Sequence, residues 1–362
     1  MNFETIDSPA LLVYPALVRN NIEEMIKMAG SVDRLRPHIK THKTAEGIRM
    51  MQEQGIYKFK CATIAEAELL AINNAKDVLL AHQPVGMKIE RLIELIKTYP
   101  ATLFSTITDD SQQAERINKK FNEAGLNLNV YIDLNVGMNR TGIIPGESAF
   151  ELYGFIQSAT HLNFSGLHVY DGQHRQANPI EREQACELAF QKVYIWIEKL
   201  EQKGYARPLI IAGGSPSFSI HAKKTDRECS PGTNIFWDHG YATICPEQHF
   251  TPALHILTRV ISKPSNKRIC LDLGHKAVAS ENEITKRVYF PSNTDLVPVG
   301  QSEEHLVMET EQPEKYNVGD ILIGIPYHVC PTVALHESLI AIDNDQIIGE
   351  WHVAARKRKI NI

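Results

Sequence analysis

The feature that most constrains this chain is an alternation. From about residue 15 to 240, short apolar runs take turns with longer stretches of helical periodicity. Each repeat has about the length of a strand plus a crossover helix, the connection that parallel strands need. Eight runs read as strands: RLRPHIK (34–40), KFKCATI (58–64), DVLLAHQ (77–83), ATLFSTI (101–107), LNVYIDL (128–134), FSGLHVY (164–170), LIIAGG (209–214) and CSPGTNI (229–235). Intervening segments such as DDSQQAERINKKFNEAG (109–125) open on N-cap residues and stop at a glycine. The series predicts a (β/α)8 TIM-type barrel over residues 15–245, although a doubly wound open sheet alternates in the same way. After about residue 250 the texture changes to short strand-like runs (ALHILTRVIS, KRICLDLG, HLVMET, DILIGIPYH, SLIAIDND, QIIGEWHVAA) separated by Pro, Gly, Asn and Asp. These predict a C-terminal β domain over 246–362, joined by residues 1–14 through the strand-like DSPALLVY (7–14).

Composition narrows the class further. With 43% hydrophobic and 22% charged residues the chain reads as globular, not disordered or coiled coil. A formal charge of -5 gives no electrostatic basis for wrapping a polyanion, so no nucleic-acid partner is expected. No apolar run approaches the roughly 20 residues that span a bilayer, so no membrane partner is expected either. The opening MNFETIDSPALL lacks the basic flank and apolar stretch of a signal peptide, and the six cysteines form no C-x-x-C pair. A cytoplasmic protein with reduced thiols is the expectation. The basic tail Arg356–Lys359 reads as a solvated terminus.

Several stretches could carry chemistry. In a strand over 34–40, Arg36, His38, Lys40 and His42 would project to one side, opposite Pro37, Ile39 and Thr41. A lysine near the C-terminal end of a barrel strand lies where such folds place active sites, and burial favours its neutral, nucleophilic form. A basic edge strand meeting solvent or phosphate fits the same pattern. The stretch Ala212–Ser217 (AGGSPS) follows a strand and offers backbone N–H groups without Cβ hindrance at Gly213 and Gly214, with Ser215 beside them; this suits either a phosphate cup or a plain glycine turn. It matches neither the dinucleotide-binding fingerprint nor a P-loop. His328 and Cys330, two apart in YHVCPT, would share a strand face, where imidazole and thiolate suit zinc but packing is the commoner reason for such a pair. GMNRTG (137–142) could aim Arg140 at a carboxylate, and YDGQH (170–174) offers an aromatic face at Tyr170. No G-x-S-x-G elbow supports a serine hydrolase.

Together these residues resemble the D-threonine aldolase and D-serine dehydratase branch of the alanine-racemase-like, fold type III pyridoxal-phosphate enzymes. The resemblance runs along almost the whole chain, through DSPALLVY, NNIEEM, RPHIKTHK, GMNRTG, SGLHVYDG, GGSPS, SPGTNIFWD, LDLGHKA, SEEH (302–305) and HVCPT. It implies that Lys40 bears pyridoxal 5'-phosphate, that Gly213, Gly214 and Ser215 hold the phosphate, and that Tyr170 sits beside the cofactor ring. It further implies that His328 and Cys330 bind a divalent metal (zinc, or manganese or magnesium), and that His42 and Arg140 wall the active site. A small-molecule D-amino-acid substrate and a homodimer belong to the same expectation. Two departures stand out. Ser230 occupies the place where related racemases have an arginine before the Pro-Gly of the eighth strand, and Cys330 replaces the acid found in bacterial D-threonine aldolases, as in D-serine dehydratases. The expected reaction is retro-aldol cleavage of a D-3-hydroxy-amino acid to glycine and an aldehyde, with D-serine dehydration to pyruvate and ammonia as the alternative. A racemase or a non-catalytic pyridoxal-phosphate carrier is a further alternative.

Overall fold

The strands sort into two sheets, and in the computed structural model, which describes residues 3–362, the chain groups into two compact units. One takes in the chain up to Glu24, Thr41–Gly47 and Thr233–Arg356; the other takes in Met25–Lys40, Ile48–Gly232 and Lys357–Ile362.

β1 (Ala10–Val13) stands apart from the seven strands that follow it. β2 (Lys58–Cys61), β3 (Asp77–Leu80), β4 (Leu103–Thr108), β5 (Leu128–Asp133), β6 (Leu162–Val169), β7 (Ile210–Ala212) and β8 (Arg227–Cys229) pair in parallel and in chain order, with a helix between successive strands. The helix boundaries follow local chemistry. Asp110 accepts the Gln113 N–H to start Ser111–Ala124, and Gly125 ends it at φ 66°. Asn178 caps Pro179–Gln202, whose first residue is a proline with no donor to waste.

The first run, RLRPHIK, differs from its expected form. Residues 34–40 make a 3₁₀ turn ending at Arg34 and then isolated bridges, Leu35 to Cys229 and His38 to Lys60. The Arg36 and His38 N–H groups donate to Cys229 and Pro231 carbonyls at 2.9 and 2.7 Å, while Ile39 donates to Lys60 and Lys60 to Pro37 at 2.9 and 2.8 Å. The segment thus bonds to both β8 and β2, and seven strands plus this bridge surround the interior. Pro37 has no N–H to extend the ladder, which is why no continuous strand forms. Leu79, Ile107, Tyr131 and Ile211 pack together as an apolar layer, with Ala81 against it.

The other unit is a nine-stranded mixed sheet. β9 (Leu254–Ser265) is its long central strand, flanked by β10 (Arg268–Leu271) and β1. β11 (Val288–Tyr289), β12 (Val297–Gln301), β13 (Leu306–Glu309), β14 (Ile321–Pro326), β15 (Ser338–Asp343) and β16 (Gln346–His352) complete it in the order β12-β13-β10-β9-β1-β15-β16, with β14 joining β9 and β11. β1 runs antiparallel to β9 and parallel to β15. Ile6, Leu12, Leu257 and Ile342 form its core beneath β1, each contributing about 1.5–3 kcal/mol by leaving water.

Candidate active site

The interior of the parallel unit is unusually polar. Arg36 donates twice to the Asp77 carboxylate at 2.6 and 2.8 Å and once to Glu228 at 2.7 Å, and Lys58 joins Glu228 at 2.8 Å. Burial disfavours the Arg36 charge, but these bonds outweigh it and raise its pKa. Arg36 therefore closes one end of the interior and is not available to a ligand. His38 accepts the Lys40 N–H on Nδ1 at 3.2 Å, and the chain turns at Lys40. The alternation expected for 36, 38, 40 and 42 stops there, because the bridged segment ends at His38 and the turn begins at Ile39.

Beyond the apolar layer three cations gather around one ring. The Lys40 Nζ lies 6.0 Å from the Tyr170 centroid, the Lys60 Nζ 5.9 Å, and the Arg140 guanidinium carbon 4.7 Å. Tyr170 has its place because two neighbours lack side chains. A Cβ at Gly172 would fall 2.0 Å from its hydroxyl, and one at Gly214 would fall 2.9 Å from its ring. Lys60 was not singled out by sequence, although β2 carries lysines at 58 and 60 on one face. Asp133, the carboxylate that faces Lys60 electrostatically, bonds His168 Nδ1 at 2.7 Å. Burial works against the Asp133 charge, but His168 outweighs it and holds the pKa low, while burial lowers the His168 pKa in turn.

The glycine-serine loop rests on a second buried network. Gly213 adopts φ 75°, and a Cβ there would strike His221 at 2.5 Å; its N–H is spent on the Val169 carbonyl at 2.9 Å. Gly214 donates to Ser217 Oγ at 3.3 Å, Ser217 donates to Asp171 at 2.6 Å, and Asp171 also bonds His221 at 2.7 Å. Arg227 closes the chain on the other His221 nitrogen at 3.1 Å. Ser215 Oγ accepts the Gly232 N–H at 3.2 Å, and Ser230 donates to the Arg36 carbonyl at 2.8 Å. Asp171 and His221 went unremarked in the sequence because they are fifty residues apart. With buried Cys186 they also place three donor atoms within 4.8 Å of one another. Burial and the adjacent Asp171 push the Cys186 thiol well up, the wrong direction for a thiolate ligand. The network is accordingly a scaffold for the loop.

In the other unit, His328 and Cys330 do come together, but not on a strand face. β14 stops at Pro326, His328 is the N-cap of helix Val329–Leu335, and Cys330 lies in its first turn. Pro331 tolerates a helix start, and Asp238 takes the Val329 N–H at 3.0 Å. Cys330 Sγ contacts the hydroxyls of Thr41 and Thr233 at 3.1 and 3.4 Å. Burial alone would raise its pKa, but the bond to His328 outweighs that and lowers it. His328 also bonds Glu281 closely. Burial pulls its pKa down, yet Cys330 and Glu281 together carry it up to about 9. His42 has a different setting: wholly buried, it accepts the Thr44 N–H on Nδ1 at 3.2 Å, lies 2.7 Å from where a Gly47 Cβ would be, and meets Phe236 edge-on.

The residues in the parallel unit fit pyridoxal phosphate: an amine for its aldehyde, an aromatic face, a glycine cradle that Cβ atoms would fill, and an excess of positive charge. A soft nitrogen and sulfur pair at His328 and Cys330 fits zinc. Residues 14–239 match the family model described as alanine racemase, N-terminal domain. The chain belongs to that family. Residues 253–342 also match a serine dehydratase domain. The chain is 26% identical to 3-hydroxy-D-aspartate aldolase of Paracoccus denitrificans (strain Pd 1222), over 98% of this chain and 94% of that one. It is 26% identical to D-threonine aldolase of Arthrobacter sp, over 97% and 93%. The crystal structure of D-threonine aldolase from Filomicrobium marinum superposes with a TM-score of 0.90 at 26% identity, over 98% of this chain and 96% of that one. The relatives of this family member are thus lyases on the same alanine-racemase-like fold. Among the described residues no helix is long and apolar enough to cross a membrane.

Proposed function

We propose that this chain is a pyridoxal-phosphate-dependent lyase of D-3-hydroxy-amino acids that cleaves its substrate by retro-aldol reaction to glycine and an aldehyde. The gathering of Lys40 and Arg140 around Tyr170, beside the Gly213–Ser215 loop, carries this reading. When bound, the cofactor withdraws electrons from the α-carbon of the amino acid. Lys40 supplies the amine that holds the aldehyde, and Gly214 and Ser215 hold the phosphate on the scaffold of Ser217, Asp171 and His221, with Gly213 giving the turn. Arg140 and Tyr170 close the site over the ring. His328 and Cys330 hold a divalent metal, zinc by donor type, whose chemistry is to lower the pKa of a hydroxyl or a bound water. His42, fully packed, acts through the placement of the segment that follows Lys40. A cytoplasmic homodimer is part of the same reading, and sedimentation equilibrium tests the second half of it.

Dehydration is the second reading, favoured by Cys330 and by the serine dehydratase domain match. One assay separates the two. Metal-loaded holoenzyme is incubated with D-threonine and with D-serine while glycine, 2-oxo acids and ammonia are quantified. Glycine without ammonia supports cleavage; pyruvate and ammonia from D-serine overturn it in favour of dehydration.

A further inference from the structure

Lys60 has no role in the chemistry so far. It sits on β2 opposite Leu79 of β3, so its side chain points inward with the apolar layer, and it is only 2% exposed. An ammonium buried to that degree costs several kcal/mol unless it is paired. The candidates for pairing are committed elsewhere. Asp133 is bonded to His168, Glu228 and Asp77 to Arg36, and Asp171 to Ser217 and His221. Among the described residues no oxygen accepts a hydrogen bond from the Lys60 Nζ, and no carboxylate pairs with it. The groups that face it are Lys40, Arg140 and Arg36, all cationic, with Asp133 as the one opposing charge. Burial and then Lys40 pull the Lys60 pKa down to about 7, the behaviour of a cation short of an anion. Its amine lies at the Tyr170 face, 5.9 Å from the ring centroid, on the same ring as Lys40.

We infer that Lys60 binds the carboxylate of the amino-acid substrate. The phosphate of the cofactor is provided for by the glycine-serine loop, and Lys40 is committed to the cofactor aldehyde. Of the two cations then left at the ring, Arg140 is exposed to solvent and Lys60 is the buried one, without a partner. An amino-acid carboxylate supplies the missing charge and two acceptor oxygens. This assignment rests on the cofactor reading above and adds to it the group that recognises the acid end of the substrate.

The test is ligand binding to holoenzyme, read from the cofactor absorbance and not from turnover. Wild type, Lys60→Met and Lys60→Arg are titrated with glycine and with ethanolamine, which has the amine but no carboxylate. Apo-protein of each is titrated with pyridoxal phosphate. The expected result is that Lys60→Met weakens glycine binding about 10- to 100-fold, Lys60→Arg recovers part of it, and ethanolamine and cofactor affinities move less than about threefold. An equal shift for glycine and ethanolamine, or none for glycine, overturns the assignment. A cofactor affinity that falls as far as glycine affinity also overturns it, because the anion is then an oxygen of the cofactor. Lys60→Gln repeats the test should Lys60→Met fail to fold. If wild type forms no imine absorbance with pyridoxal phosphate, the cofactor reading fails and takes this assignment with it; a normal wild-type band with an unaltered Lys60→Met sinks Lys60 alone.

Discussion

Two histidine–carboxylate pairs in this protein have opposite settings. Asp171 and His221 are buried, with Ser217 on one carboxylate oxygen and Arg227 on the far ring nitrogen. Glu281 and His328 are more than a third exposed, and His328 also bonds the Cys330 thiol and feels the Asp238 charge. Similar groups at similar spacing thus make a closed network in one case and an open one in the other. A closed network stiffens what rests on it, here the Gly213–Ser215 loop. An open one has donor capacity left for a ligand.

Three substitutions probe this difference, and the largest effect lies beside the closed network. Lys40→Ala removes the amine that holds the cofactor. It is expected to abolish the imine absorbance and lower turnover on the order of 10³-fold or more, with the fold intact by circular dichroism. Activity surviving that change would sink the central assignment. Asp171→Ala leaves His221 and Arg227 without their buried anion and frees Ser217. The expected loss is about 3–5 kcal/mol in urea denaturation, accompanied by weaker pyridoxal-phosphate binding. A loss under about 1 kcal/mol would mean that the network is not closed.

At the open pair, Glu281→Gln is expected to spare stability and cofactor binding but to weaken zinc binding about 10- to 100-fold by calorimetry. Removing metal with a chelator should suppress turnover while leaving the imine absorbance unchanged. Metal affinity indifferent to Glu281, with the fold unaltered, would place the ion away from His328.

How far the sequence reached can be judged residue by residue. The alternation of strands and helices, the caps at Asp110 and Gly125, and the texture change after residue 250 are local signals, and each has its counterpart in the structure. The run 34–40 was misjudged in form because its pairing depends on Pro37 and on both neighbouring strands, not on its own alternation. His328 and Cys330 are adjacent, but through a helix N-terminus that Pro331 permits and period-two counting could not show. Lys60 was half legible: KFKC places two lysines on one face, but only the commitment of Asp133, Asp77 and Glu228 to other partners reveals which lysine lacks an anion. The Asp171–His221 pair was beyond reach, since nothing in sequence links residues fifty apart across a long helix and a strand.

The smallest effect concerns a third kind of histidine. His42 is buried, and among the described residues no carboxylate bonds it and its Nε2 has no hydrogen-bond partner. Burial, with Lys43 adding to it, lowers its pKa to about 3 from an ordinary value of 6.5. The folded pKa lies below the unfolded one, so on acidification the unfolded chain takes up a proton that the folded chain refuses. The contribution of His42 to stability is therefore full above about pH 6.5 and is lost as pH falls from there toward 3, by up to about 1.4 kcal/mol per pH unit. His42→Asn removes the titrating group. Urea unfolding of wild type and variant between pH 7.5 and 5 should show a slope shallower by up to one proton in the variant. Equal slopes would mean that His42 is protonated in the folded protein, and that it has found the anionic partner that His221 and His328 already possess.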